Sequence, residues 1–285
     1  MRPIKKLHQA SYHLIADLVT YSPLPNPELP HLDPFLLLNH HGYQIYPPNN
    51  RGLPFGPHPH RGMETVTFII AGEIMHQDSQ GYQSIIKAGG VQWMTAGKGL
   101  LHAEVSPETF RQQGGELEIL QLWLNLPARL KMTSPRYAGL QKEEIPLVHL
   151  NEKTCMQLIA GNYNGKKGAF EPLTDVFLGT IQMQPQADWE TEVLPSRNVF
   201  FYVVRGKVKV NGHAVPQRHL AEFESKGSHL QMSTAQESAL FIFGHATPFN
   251  EPIVSQGPFV MNSIEEIKQA YADYRAGKFG SWKPA

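Results

Sequence analysis

The chain has 285 residues, with 25 Lys and Arg against 25 Asp and Glu, so its formal net charge is zero. That balance excludes the global basic field that would hold nucleic acid or an acidic membrane surface, so no direct DNA binding is expected. A single cysteine, Cys155, excludes a disulfide-stapled secreted domain and reads as a small buried hydrophobe.

The length suffices for one large or two ordinary domains, each with its own core. Only 18% of residues are charged, and 24 Gly, 23 Pro and 10% aromatic residues suit a turn-rich all-β protein better than a helical one. No apolar run approaches the length of a membrane span. The basic start, Met1-Arg2-Pro3-Ile4-Lys5-Lys6, lacks the apolar segment of a signal peptide. The expectation is a soluble, monomeric, cytoplasmic protein, or a nuclear one in a eukaryote.

In chain order, residues 1–35 hold short strand-like pieces and then Pro23, Pro25, Pro27 and Pro30, a stiff extended connection. Phe35-Leu36-Leu37-Leu38 reads as a buried strand, and the Pro, Asn and Gly of residues 44–57 as a loop leading to His58. From 64 to 126, strands such as Thr65-Val66-Thr67-Phe68-Ile69-Ile70 alternate with turns at Gly72, Gly81, Gly89-Gly90 and Gly114-Gly115. The longest strand candidate runs from Leu117 to Leu126. One of its faces carries Gln121, Trp123 and Asn125, which suits either a wall near a site or a strand between two sheets.

Residues 127–145 look like a linker, so the expected domains are 1–134 and 145–285. The second half is again β-rich, with Asn211-Gly212 as a hairpin turn. It reads as a degenerate copy of the first: Thr67 to Glu73 matches Tyr202-Val203-Val204-Arg205-Gly206-Lys207. Near the end, Ser263-Ile264-Glu265-Glu266 is a capping box opening a helix. Its apolar stripe is Ile264, Ile267, Tyr271 and Tyr274, Gly277 is its stop, and it is expected to pack on the protein's own barrel.

Two short stretches carry the chemistry. His58-Pro59-His60 and His102-Ala103-Glu104 each place two metal-binding side chains at i and i+2, the same face of a strand. If those strands lie side by side, three imidazoles and a carboxylate meet, a four-ligand set for a first-row transition metal. The alternative, histidines merely sharing a face, stays open at this level. Upstream of the matching strand in the second half stands Leu194-Pro195-Ser196-Arg197-Asn198, without ligands, so one metal per chain is expected. Trp93, Met94 and Phe55 are candidate pocket walls, though each reads better as core.

Asp33-Pro34-Phe35-Leu36-Leu37, the run from His58 to Val66, the run from Gln92 to Glu104, Leu120 to Leu126, and Gly257 to Asn262 together resemble the pirins, members of the cupin superfamily. The resemblance implies two tandem jelly-roll β-barrels with one metal, usually iron(II), in the first. It implies His58, His60, His102 and Glu104 as ligands. Most cupins draw the carboxylate from a position like Glu64. The resemblance puts it at Glu104, which leaves Glu64 outside the ligand set. Gly97 stands near the place of a proline common in the family. The implied activity is quercetin 2,3-dioxygenase, in which O2 cleaves a flavonol, carbon monoxide leaves, and Glu104 acts as general base. The family's other described role, an iron-dependent redox sensor binding a transcription factor or metabolic enzyme, is the alternative.

Overall fold

The computed structural model describes residues 1–282. It forms two compact units. One comprises Met1–Ser11, Tyr21–Phe35 and Glu144–Pro248; the other comprises Tyr12–Thr20, Leu36–Glu143 and Phe249–Ala285. The contiguous halves expected, 1–134 and 145–285, are therefore exchanged at both ends. The reason is strand pairing and helix docking. The first strand, Ile4–Gln9, pairs antiparallel with His219–Phe223. The C-terminal helix, Ile264–Arg275, packs Ile267 and Ala270 on Phe259, Met261 and Leu101. Among the described residues no helix is long and apolar enough to cross a membrane.

Each unit combines a seven-stranded with a four-stranded antiparallel sheet. In the unit holding residues 144–248, the space between the sheets is an apolar core. Phe201, Phe241 and Phe243 come from the larger sheet; Trp189, Val208, Val210, Leu230 and Met232 come from the smaller. Asn211 and Gly212 take positive φ, 48° and 84°, and join Lys207–Val210 to His213–Pro216 as the two-residue turn expected.

In the unit holding residues 36–143, the larger sheet includes Phe35–Tyr46, Met63–Ala71, Val91–Thr95, Gly115–Asn125 and Arg136–Leu140. The smaller sheet has the order Phe55–His60, Leu100–Val105, Glu73–Asp78, Gln83–Lys87. Ile69, Ile74, Ile86 and Ile119 close one part of the interior. The expected linker at 127–145 is in fact structured. Arg136–Leu140 pairs with Val91–Thr95 and so extends the sheet, because Tyr137, Ala138 and Leu140 continue a strand register that the surrounding Pro and charge concealed.

The internal copy is visible in the backbone. Met63–Ala71 and Asn198–Arg205 both slip register just before their turn, at Ile69/Ala71 and Val203/Arg205. Both then turn at a glycine of positive φ, Gly72 at 77° and Gly206 at 76°. A Cβ there would sit 2.2 Å from the Glu116 carbonyl oxygen or 2.3 Å from that of Ser238, so only glycine fits.

The capping box forms: Ser263 Oγ accepts from the Glu266 N–H at 3.2 Å, and Glu266 Oε2 accepts from the Ser263 N–H at 3.0 Å. The buried stripe is narrower than expected. Ile264 and Tyr274 are exposed, and Asp273 is buried in their place because it meets Arg61. Cys155 is half-buried rather than buried.

Candidate metal centre

Leu100–Val105 lies between Phe55–His60 and Glu73–Asp78, with His102 directly opposite His58, and Leu100 opposite His60. Alternation therefore turns His58, His60, His102 and Glu104 to one face. One coordinating nitrogen from each of His58, His60 and His102 lies within 4.8 Å of the others. The rings are 4.4 Å (58 to 102), 4.9 Å (58 to 60) and 4.9 Å (60 to 102) apart. His60 and His102 are buried and His58 is half-buried.

The hydrogen bonds fix which nitrogen each ring offers. His58 Nδ1 is 2.7 Å from the Gly56 carbonyl oxygen, and His60 Nδ1 is 3.2 Å from that of Pro258. A carbonyl only accepts, so each Nδ1 carries a proton and Nε2 is the nitrogen each ring would offer to a metal. His60 Nε2 and both nitrogens of His102 are buried without a protein partner. Burial, and secondarily His58, holds His60 down to about 3; burial, with His60, His58 and His76, holds His102 well below the ordinary imidazole value. Buried imidazoles with orphaned nitrogens fit a first-row transition metal, which would take His60 Nε2 and one nitrogen of His102.

Glu104 is buried on the same face. Its Oε1 accepts from Thr67 Oγ1 at 2.9 Å and from Gln92 Nε2; its Oε2 accepts from Gln121 Nε2. The three donors stand in one row across the larger sheet, since Thr67 is opposite both Gln92 and Gln121. Trp123 Nε1 donates to Gln121 Oε1 at 2.9 Å, and its indole stands edge-on to His60 at 5.1 Å. Tyr137 Oη lies 3.2 Å from Gln92 Oε1 and is also bonded to Ser84 Oγ. Burial pushes the Tyr137 hydroxyl well up, so it keeps its proton.

His76 is the neighbour that pattern reading missed. It stands opposite Glu104, 5.5 Å from the His102 ring, and stacks on Tyr137 at 3.8 Å. Its Nε2 is 3.1 Å from Asp78 Oδ2. The signal was available in Ile74, His76 and Asp78, alternate positions of a strand all buried on one side.

Glu64 behaves differently. It is three positions from Thr67 on an unbroken strand register and so lies on the opposite face of the sheet. There its Oε1 accepts from Thr95 Oγ1 at 2.6 Å, and burial pushes its carboxyl up against the pull of Thr95 and Trp93. Trp93 shares that face and Met94 packs with Ala96 and Leu100, while Phe55 packs beside His41 at 5.3 Å. On the strand face that reads as either a site wall or an inter-sheet strand, Gln121 and Trp123 lie on the Glu104 side, whereas Asn125 accepts from the buried Lys131 at 2.8 Å.

The turns holding these strands are tight. Gly62 follows His60 with φ 81°, and a Cβ there would lie 2.0 Å from the Val260 carbonyl oxygen; its N–H donates to the Gly97 carbonyl at 2.8 Å. Arg61 is anchored by Asp273 of the C-terminal helix at 2.8 Å, by the Lys98 carbonyl at 2.8 Å, and by the Phe279 ring at 4.7 Å.

Residues 17–124 match the pirin family model, and residues 178–280 match that of the pirin C-terminal cupin domain. The chain belongs to the pirin family. A Pseudomonas aeruginosa protein provisionally named quercetin 2,3-dioxygenase is 37% identical over 250 residues, 87% of each chain. A tomato (Solanum lycopersicum) pirin-like protein is 36% identical over 258 residues, covering 89% of this chain and 84% of its own. The crystal structure of a quercetin 2,3-dioxygenase from Acinetobacter baumannii superposes with a TM-score of 0.92 at 34% identity, covering 99% of both chains. The pirin fold thus accounts for both barrels.

Proposed function

We propose that this pirin is a metal-dependent dioxygenase that cleaves a flavonol such as quercetin, with His58, His60, His102 and Glu104 holding one iron(II) per chain. The observation that carries the reading is the cluster of His58, His60 and His102, with buried nitrogens of His60 and His102 that have no protein partner; Glu104 is buried on the same strand face. The names of the Pseudomonas and Acinetobacter relatives supply the substrate class.

A bound iron(II) would supply Lewis acidity toward the flavonol 3-hydroxyl and redox access to O2. The chain's own residues do the rest. His58 and His60 hold their lone pairs inward because Gly56 and Pro258 take the opposite ring protons. Glu104, once it leaves the metal, takes the 3-hydroxyl proton at Oε2, the carboxylate oxygen that carries only the Gln121 donor. Trp123, on the His60 side, gives a planar substrate an aromatic edge. In the net reaction both atoms of O2 enter the organic product, and one ring carbon leaves as carbon monoxide.

The test is direct. Protein loaded with iron(II) under anaerobic conditions and mixed with quercetin in air should consume quercetin and O2 in equal amounts and release carbon monoxide. His102→Ala should abolish this, and His149→Ala, exposed on Leu147–Asn151 in the other unit, should not. Well-loaded protein that turns over no faster than free iron would overturn the enzyme reading and favour a metal-dependent binding role.

A further inference from the structure

The two barrels of this chain provide an internal control on which polar groups the fold itself requires. Register aligns them residue by residue. Val210 lies four positions after Gly206, as His76 lies four after Gly72, and its partner Met232 corresponds to Glu104. Two residues before each, Leu230 corresponds to His102, and Thr191, opposite Leu230, to His58. The row that meets Glu104, Gln92–Thr67–Gln121, corresponds to Ala221–Phe201–Phe243. In the second barrel this row is apolar, fully buried and part of the core. The architecture therefore closes without a polar row, and an all-apolar one packs well.

We propose that Gln92 and Gln121 are positioning residues for the metal centre. They lock the Glu104 carboxylate in one orientation beside the three imidazoles, and Tyr137 and Trp123 lock the two amides in turn. The inference rests on the reading of His58, His60, His102 and Glu104 as a metal site.

The chemistry of the donors makes the arrangement one-way. An indole N–H only donates, so Gln121 must turn its Oε1 to Trp123 and its Nε2 to Glu104. Gln92 must turn Nε2 to the Glu104 carboxylate, which only accepts, and so presents Oε1 to the Tyr137 hydroxyl, which donates to it. Both carboxylate oxygens thus carry an amide donor, and rotation about the Glu104 side chain breaks at least two bonds. Trp123 also touches His60 and Tyr137 also stacks on His76, so the same two aromatic residues fix the amides and wall the imidazoles.

The experiment uses cobalt(II) as a spectroscopic probe on the full chain. Its affinity is read by competition with a chromophoric chelator, and its coordination from the visible absorption bands. Gln121→Met and Gln92→Met keep side-chain volume and remove the donor. Each should weaken cobalt binding by about 10- to 100-fold and shift the bands. Trp123→Phe, which keeps a ring and removes only the indole N–H, should shift the same bands with a smaller loss of affinity. Glu64→Gln, a buried carboxyl on the other face, should leave both unchanged.

If both glutamine variants keep wild-type affinity and bands while Glu104→Gln loses them, the positioning role is refuted and the metal site stands. If Glu104→Gln also binds as wild type, the ligand reading fails and this proposal falls with it. If either glutamine variant does not fold, Trp123→Phe decides, and unchanged bands overturn the proposal.

Discussion

The strand that ends in His60 is tied to the far end of the chain through Arg61 and Asp273, and cutting that tie should be felt as stability. Arg61 is almost fully buried, 5% exposed at the side chain, and its Nη1 donates to Asp273 Oδ2 at 2.8 Å. Asp273→Asn removes the countercharge and keeps the shape. Severing a buried pair costs about 3–5 kcal/mol when the remaining charge is stripped bare. Arg61 is not stripped, since the Lys98 carbonyl and the Phe279 ring remain. One charge-assisted bond, worth about 1.5–3 kcal/mol, is lost together with part of the burial penalty, so the expected loss is about 2–4 kcal/mol. Lys278, 63% exposed, adds little through its own bond to Asp273.

The assay is urea unfolding in chelator at pH 7, followed by tryptophan fluorescence in a Trp189→Phe background, which removes the signal of the other unit. A double-mutant cycle with Arg61→Met should give a coupling above about 1 kcal/mol. The pH dependence has a definite sign. Lys278, Arg61 and Gln269 hold the Asp273 carboxyl below its ordinary value. Its contribution is therefore complete above the unfolded carboxyl pKa, about 3.9, and is lost as pH falls below it. A variant within about 0.5 kcal/mol of wild type, or a coupling near zero, refutes the reasoning.

Three further outcomes are expected. Glu104→Gln should weaken metal retention, measured by elemental analysis after dialysis, whereas Glu64→Gln should retain metal like wild type; the reverse order would move the carboxylate ligand to Glu64. Burial, with the Arg197 guanidinium, holds His245 down to about 3, below its unfolded value near 6.5, so its neutral form is favoured in the folded state. Its contribution is complete above about pH 6.5 and falls by up to about 1.4 kcal/mol per unit as pH drops toward 3; His245→Asn should flatten the stability–pH slope over that window, and an unchanged slope would exclude it as a contributor. Gly62→Ala should destabilise the unit by more than about 2 kcal/mol in urea unfolding, because φ is 81° and the added Cβ meets the Val260 carbonyl oxygen at 2.0 Å.

Local pattern determined much of this protein. The i, i+2 spacing of His58-Pro59-His60 and His102-Ala103-Glu104 fixed their faces before any fold was known, because strand alternation is a property of the backbone. The Asn211-Gly212 hairpin and the Ser263 capping box are likewise written in neighbouring residues. The repeat at Gly72 and Gly206 announced two similar barrels. The surroundings of Glu104 were not readable, because its three donors come from three strands and meet it only through register between them. Nor were His76 beside Glu104, or Tyr137 in a stretch that reads as linker, since cross-strand neighbours are set by pairing and not by spacing along the chain. Membership of the terminal segments was hidden for the same reason. Ile4–Gln9 finds its partner at His219–Phe223, and Asp273 its partner at Arg61, more than two hundred residues away in sequence. A strand edge and a buried guanidinium are satisfied by whichever group the tertiary packing brings to them.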